Sequence, residues 1–379
     1  MMELSWTKPT LELCMLCIIV FGLFIVLYYR FYTARSLRNN AVAPNYGMML
    51  LSMFLIIFES VNPNSDWYHY QDMVWNYDLS EGAVNHGEPI YRYIIGITNK
   101  NYFLFRLIVW GSAFMLSRLA FRRFGVNVNV ATFFLIAVYL MRFNYARASL
   151  AMACYFCGLS YLLNPIKKIG HTNWLLVGAF FWGAYEFHHS LLPVLLFTLT
   201  AYLPIDKPMV IIPLLIFTPL LASFVFSSLD VFGYFGDMLG EAGGEDVYSK
   251  FNRYMEKETE ETNIFGKVQN GIMYGTFVIP LVVGSFVVFK NKEEVSTIMT
   301  RLLRITIAIT LFAIMFLFLD LLNTVFTYRY LFMTFIPLTI LSVYLYQNRL
   351  MGKRAFSWII LWGIGVNVYG LLYGLYKVL

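Results

Sequence analysis

The sequence predicts an all-α, polytopic integral membrane protein of about twelve transmembrane helices. Three observations carry that prediction. Of its 379 residues 59% are hydrophobic and 13% are charged, whereas soluble domains carry about 25% charged residues. Apolar runs of the length that crosses hydrocarbon as helix recur from end to end. Lys and Arg collect in alternate connections between those runs. The runs are continuous rather than alternating, which excludes a membrane β-barrel.

Twelve spans follow in order: 11–29, 46–61, 102–119, 128–141, 146–163, 173–187, 190–203, 208–227, 271–289, 302–322, 328–346 and 355–377. The segments 128–141 and 190–203 are short enough to be tilted or broken. Pro193 and Pro280 fall inside spans, where neighbouring helices can satisfy the carbonyl that a proline releases. Glu3, Lys8 and Glu12 precede the first run and no small-residue cleavage site follows it, so the first segment reads as a retained helix rather than a signal peptide. The chain is expected to form a single transmembrane domain over 1–379.

One set of connections holds Arg30, Arg35, Arg38; Arg118, Arg122, Arg123; Lys167, Lys168; Lys207; Lys290, Lys292; and Arg349, Lys353, Arg354. Basic loops stay in the cytoplasm, so both termini are expected outside. The opposite set contains two long connections, 62–101 and 228–270, and the tight turns 142–147, 188–190 and 323–329. In 62–101, Trp67, Tyr70, Val74 and Tyr77 recur at helical spacing and predict a helix lying in the membrane interface. Glu88-Pro89 then opens a short apolar element, IYRYIIGI, at membrane depth. In 228–270, Gly240, Gly243 and Gly244 precede an amphipathic stretch bearing Val247, Phe251 and Tyr254, read either as a surface cap or as a mobile lid.

Five clusters of ionisable and aromatic residues share this outer set: Asp66–Tyr70 with Glu88-Pro89, Arg142 with Arg147, His188-His189, Glu241–Glu261, and Arg329. Charge near a bilayer is costly and marks reaction or transport sites. Asp66, His69 and Asp72 admit three readings: a hard-metal site, a helix cap at Asp66, or contact with a substrate hydroxyl. Arg142, Arg147 and Arg329 fit lipid headgroups or a bound phosphate or diphosphate, whose oxygens the guanidinium fork matches in pairs. His188 and His189 end a span beside Glu186 and are either structural or titrating. The cysteine pairs Cys14/Cys17 and Cys154/Cys157 have metal-like spacing, but inside apolar runs they read as packing residues. No polybasic patch suited to nucleic acid is present in a net charge of +6.

Four motifs, in order, resemble one family. They are Asp66-Trp67-Tyr68-His69-Tyr70 with Glu88-Pro89-Ile90-Tyr91; Tyr145-Ala146-Arg147-Ala148-Ser149-Leu150-Ala151; Phe187-His188-His189-Ser190; and Arg329-Tyr330. Together they are similar to the EpsG-like, Wzy-type polysaccharide polymerases of bacterial envelopes, over roughly residues 50–335. The Arg and Gly that often precede the Asp in that family are absent; this chain reads Glu59-Ser60-Val61-Asn62-Pro63-Asn64-Ser65, which leaves that role unfilled or filled by Arg92.

The resemblance implies a GT-C-like bundle that joins lipid-linked repeat units on the outer face of the inner membrane. Donor and acceptor would be polyprenyl-diphosphate-linked oligosaccharides, with membrane lipid and a chain-length regulator as further partners and no cofactor or metal. Under it Arg147 and Arg329 clamp the diphosphate, His188 is the general base, and Asp66 and Glu88 orient sugar hydroxyls. Trp67, Tyr68, Tyr70 and Tyr91 would stack on sugar rings, and Arg142, His189 and Arg92 would complete the binding surface. Two other functions remain open: a flippase or transporter of lipid-linked saccharide, which favours pseudo-symmetric halves not evident here, and a membrane glycan acyltransferase, which would leave chain length unchanged.

Overall fold

A computed structural model describes residues 11–32, 46–59, 74, 89–141, 146–166, 170–205, 213, 217, 264–315 and 330–378, and the regular elements among them are all helical. In chain order they are α1 (Leu11–Tyr32), α2 (Tyr46–Glu59), α3 (Pro89–Ile97), α4 (Tyr102–Arg123), α5 (Val128–Tyr139), α6 (Ala146–Leu163), α7 (Thr172–Phe187), α8 (Leu192–Phe197), α9 (Ile264–Lys290), α10 (Thr297–Met315), α11 (Phe335–Gln347) and α12 (Lys353–Val378). Among the described residues four helices are long and apolar enough to cross a membrane: Tyr102–Arg123, Thr297–Ile314, Tyr330–Gln347 and Lys353–Tyr373. The chain is a multi-pass membrane protein. It divides into two compact units, one of residues 1–198 and 335–379, the other of residues 199–334.

In the first unit α5 is the hub, touching α1, α2, α4, α11 and α12. From Asn129 to Tyr139 it is buried on every side, as a helix apolar all round must be. Phe24 and Tyr28 of α1 pack on its Phe133, with ring centroids 6.1 and 4.6 Å away. Phe134 stacks on Phe356 of α12 at 5.5 Å. The outer faces of α7 and α12 expose Trp174, Leu175, Trp182, Trp358, Leu361 and Tyr376, the apolar surface that lipid covers.

Polar side chains fix the helix ends. Asn101 caps α4 by accepting from Leu104 N at 3.0 Å, and Asn127 caps α5 by accepting from Asn129 N and Val130 N. Gln347, ending α11, accepts from Asn127 N at 2.9 Å and donates to Gly125 O at 3.1 Å. Arg123 donates to Ser160 O and Asn164 O and lies 4.3 Å over the Tyr161 ring, while Asn164 Nδ2 returns a bond to Arg123 O at 3.1 Å. These bonds gather the α4–α5, α6–α7 and α11–α12 connections at one end of the unit. Those are connections that the charge pattern assigns to a common side.

The α6–α7 hairpin is antiparallel. Tyr155 meets Phe181 at 5.3 Å, Tyr161 meets Phe180 at 6.0 Å, and the Tyr155 hydroxyl bonds that of Thr198 at 2.9 Å. All four cysteines are buried, and Cys157 Sγ donates to Leu116 O at 3.0 Å, a packing role between α6 and α4.

In the second unit α9 packs along α10. Phe277 lies 5.7 Å from Phe332, Phe312 lies 4.8 Å from Tyr330, and Arg304 donates to Ala201 O at 3.2 Å. Helix α9 starts at Ile264, inside the connection expected to run to 270. Lys267, Gln269 and Asn270 lower the hydropathy of those two turns without opposing helix formation. Pro280 is inside α9 as expected. Pro193 is not interior: the span 190–203 is broken into 3₁₀ turns around α8, and Pro193 lies in the first turn of α8, where its missing N–H costs nothing. The 208–227 span outside positions 213 and 217, and the second long connection up to 263, lie outside the described residues, as does the aromatic stripe of the first connection apart from the buried, helical Val74.

Close packing of the hairpin gives a direct test. A Cβ on Gly158 would sit 2.7 Å from Phe181 Cδ1 and 2.9 Å from Phe180 Cβ, whereas one on Gly178 meets nothing within 4 Å. Gly158→Ala is expected to cost about 1–3 kcal/mol by overpacking and to lower the unfolding midpoint in detergent by several degrees. Gly178→Ala should leave that midpoint unchanged or slightly raised.

Candidate functional site

At the end of the first unit opposite the Arg123–Asn164 pairing, α7 stops and α2, α3, α4 and α6 present their corresponding ends. His188 turns extended (φ −161°, ψ 102°), and its N–H reaches back to Ala184 O and Tyr185 O at 3.1 Å each. A 3₁₀ turn, His189–Leu191, follows, with Leu191 buried beneath it. His188 is half-buried and His189 exposed. The His189 ring lies 4.7 Å from that of Tyr185, one helical turn earlier.

Helix α3 opens on Pro89, a residue suited to a first helical position. Tyr91, Ile95 and Thr98 are buried, while Tyr93 and Ile97 are exposed, so one face packs on α4 and α7. This is the short apolar element expected after Glu88. Tyr91, 1% exposed, is the anchor: its ring meets Phe187 edge-on at 5.9 Å and Phe105 at 6.3 Å. The Glu-Pro-x-Tyr segment and the Phe-His-His-Ser turn, nearly a hundred residues apart, are therefore in direct contact. Arg92 follows on α3, half-buried.

Contacts continue from Phe105 to Tyr102 at 6.3 Å and to Trp110 at 6.4 Å. Between those two rings lies Arg106, 3% exposed, with its guanidinium 4.5 Å from the Trp110 centroid and 5.5 Å from Tyr102. Its Nε donates to Ile57 O at 3.0 Å, Nη2 donates to the same carbonyl, and Nη1 donates to the Tyr102 hydroxyl at 3.2 Å. Arg106 thus holds the last turn of α2, from which the Asp66 segment departs. The sequence reading gave Arg106 no place in the site. The available signal was a guanidinium early in an otherwise apolar run, YFLFRLIVW.

Arg147 is the second residue of α6. Because α6 runs antiparallel to α7 and touches the His189–Leu191 turn, its start is at this same end. Asp66, Trp67, Tyr68, Tyr70, Glu88, Arg142 and Arg329 lie outside the described residues. Among the described residues no group of three His, Cys, Asp or Glu side chains could hold a metal ion. What the described part brings together is an imidazole pair, two helix starts bearing Arg92 and Arg147, and an aromatic floor built on Tyr91.

The family model of the EpsG family matches residues 45–373. No curated protein and no solved structure matches the chain significantly.

Tyr91 allows the floor to be tested. Tyr91→Ala removes a buried ring, a truncation that costs about 3–5 kcal/mol for large aromatics, and should release α3. The expected result is faster amide hydrogen exchange across 89–97 than in the unaltered protein. Tyr91→Phe keeps both ring contacts and should exchange like the parent; equal release in both variants would show that ring packing is not what holds α3.

Proposed function

The chain belongs to the EpsG family, and from that membership we propose that it is a glycosyltransferase polymerising lipid-linked oligosaccharide repeat units into a cell-envelope polysaccharide, such as O-antigen or capsule. The reading places its active end at the outer face of the bacterial inner membrane, in a GT-C-like bundle of about twelve spans. The donor is a growing glycan on polyprenyl diphosphate, and the acceptor is one further lipid-linked repeat unit. A chain-length regulator is the expected protein partner.

The observation that supports it best is the Tyr91–Phe187 contact. It joins two of the family-like segments at the end away from the basic connections. There an acceptor hydroxyl oxygen attacks the donor's anomeric carbon, the bond from that carbon to the diphosphate oxygen breaks, and the hydroxyl proton passes to a base. His188, half-buried at the turn, is the proposed base. The leaving diphosphate gains negative charge as the bond breaks, and guanidinium groups fixed beforehand stabilise it without reorganising. Arg147 and Arg329 take that part in this reading, assisted by Arg142, while Asp66 and Glu88 orient sugar hydroxyls. Trp67, Tyr68 and Tyr70 line the sugar path, and Arg92 and His189 contact the substrate at its edge. Tyr91, expected from the sequence to stack on a sugar ring, is instead buried between Phe105 and Phe187 and supports the path from beneath.

Loss of one transition-state donor typically lowers turnover about 10²–10³-fold. Cells whose only copy is Arg147→Ala should carry surface glycan capped at single repeat units, with the protein present in the membrane at its usual level. An undiminished ladder of chain lengths would remove Arg147 from the diphosphate site. Purified protein in liposomes with lipid-linked repeat units should lengthen them; translocation without lengthening would mean a flippase, and acylation at constant length an acyltransferase.

A further inference from the structure

Asn367, midway along α12, is 1% exposed. Its side-chain amide donates to Ala137 O at 2.8 Å and to Ile136 O at 3.3 Å, and its side-chain carbonyl accepts from Met141 N at 3.3 Å. In a continuing α-helix the Met141 N–H would bond Ala137 O directly. The carboxamide takes both of those groups and stands between them. In keeping with this, α5 ends at Tyr139, and Leu140 and Met141 are 3₁₀.

Glycines let the amide come so close. A Cβ on Gly363 would lie 2.5 Å from Val138 Cα, and one on Gly370 would lie 2.7 Å from Met141 Cε. Gly363, Asn367 and Gly370 share one helix face at spacings of four and three, the pattern by which membrane helices approach backbone to backbone. The 12 residues of α5 span roughly 18 Å at 1.5 Å each, against about 30 Å of hydrocarbon. Its last carbonyls and the N–H groups beyond them therefore need a protein partner. Asn supplies two donors and an acceptor from one planar group. A leucine of similar size would pack there and satisfy nothing.

We infer that Asn367 is a positioning residue: it ends α5 and so sets how the chain leaves Met141 toward α6, whose second residue is Arg147. The inference rests on the reading in which Arg147 serves the leaving diphosphate. Asn367 itself touches backbone only, among the contacts described for it.

Elongation by the full-length protein in liposomes, with a lipid-linked repeat unit as probe, tests it. Asn367→Leu is expected to lower kcat at least tenfold while the acceptor KM stays within threefold. Combined with Arg147→Ala, it should slow the reaction no more than twofold beyond Arg147→Ala alone, because the effect runs through the same arm. Multiplying effects, or a raised KM with unchanged kcat, would overturn the inference. A second measurement does not depend on catalysis: a thiol introduced by Asn144→Cys should react with a membrane-impermeant maleimide at a rate that Asn367→Leu changes at least threefold. The four native thiols are buried and give little background. An unchanged rate would overturn the inference even if the wild-type chain failed to elongate any glycan, the result that sinks the polymerase reading alone. Should Asn367→Leu not accumulate, Asn367→Asp, which keeps the acceptor and loses both donors, is held to the same thresholds.

Discussion

Helices shorter than the hydrocarbon thickness end where water cannot reach their last carbonyls, and the first unit is organised around that constraint. Helix α5 has 12 residues and is buried to its last turn, with no solvent to complete its hydrogen bonds. The unit answers with long-range side chains: Arg106 of α4 for Ile57 O, and Asn367 of α12 for Ile136 O and Ala137 O. Each bond joins one helix's end to another helix's flank. Satisfying the backbone and fixing the tertiary arrangement are thus the same act.

At the candidate site the space between helix ends is filled by aromatics rather than by more helix. Tyr91 fills it between Phe105 and Phe187. Rings suit this place because they bury large area with few rotatable bonds and leave a polar rim. Around that floor stand the half-buried His188, the exposed His189 and the helix starts that carry Arg92 and Arg147. The opposite end is tied by polar, reciprocal bonds, Arg123 with Asn164 and Gln347 with Asn127. One end is tied by polar bonds and the other is packed around rings.

Much of the helical framework was legible because hydropathy is a local property. Apolar runs at 102–119, 146–163 and 355–377 became α4, α6 and α12, and the weak segments at 128–141 and 190–203 became a short helix and a broken one. Three of the basic connections, α4–α5, α6–α7 and α11–α12, do share one end of the first unit. The errors are local as well: α9 begins two turns early, and Pro193 starts a helix rather than kinking one. Hydropathy cannot see a polar turn that is still helical, nor can it see a break that a proline follows. Within the site, Tyr91 and the His188-His189 turn were singled out from the chain, but their contact through Phe187 was not, because pairing between helices leaves no mark on either one's periodicity.

What the sequence determined by itself was the class of molecule, the order of its helices and the family it resembles, since each depends on composition or on short ordered strings. The tertiary structure alone decided which carbonyl Arg106 holds, which helix Asn367 ends and which rings Tyr91 separates. Arg106 and Asn367 look alike in the sequence, single polar residues in apolar runs, and nothing beside them names a partner 49 or 230 positions away. Hydrogen bonding is directional and short-ranged, so those partners exist only once the helices have packed.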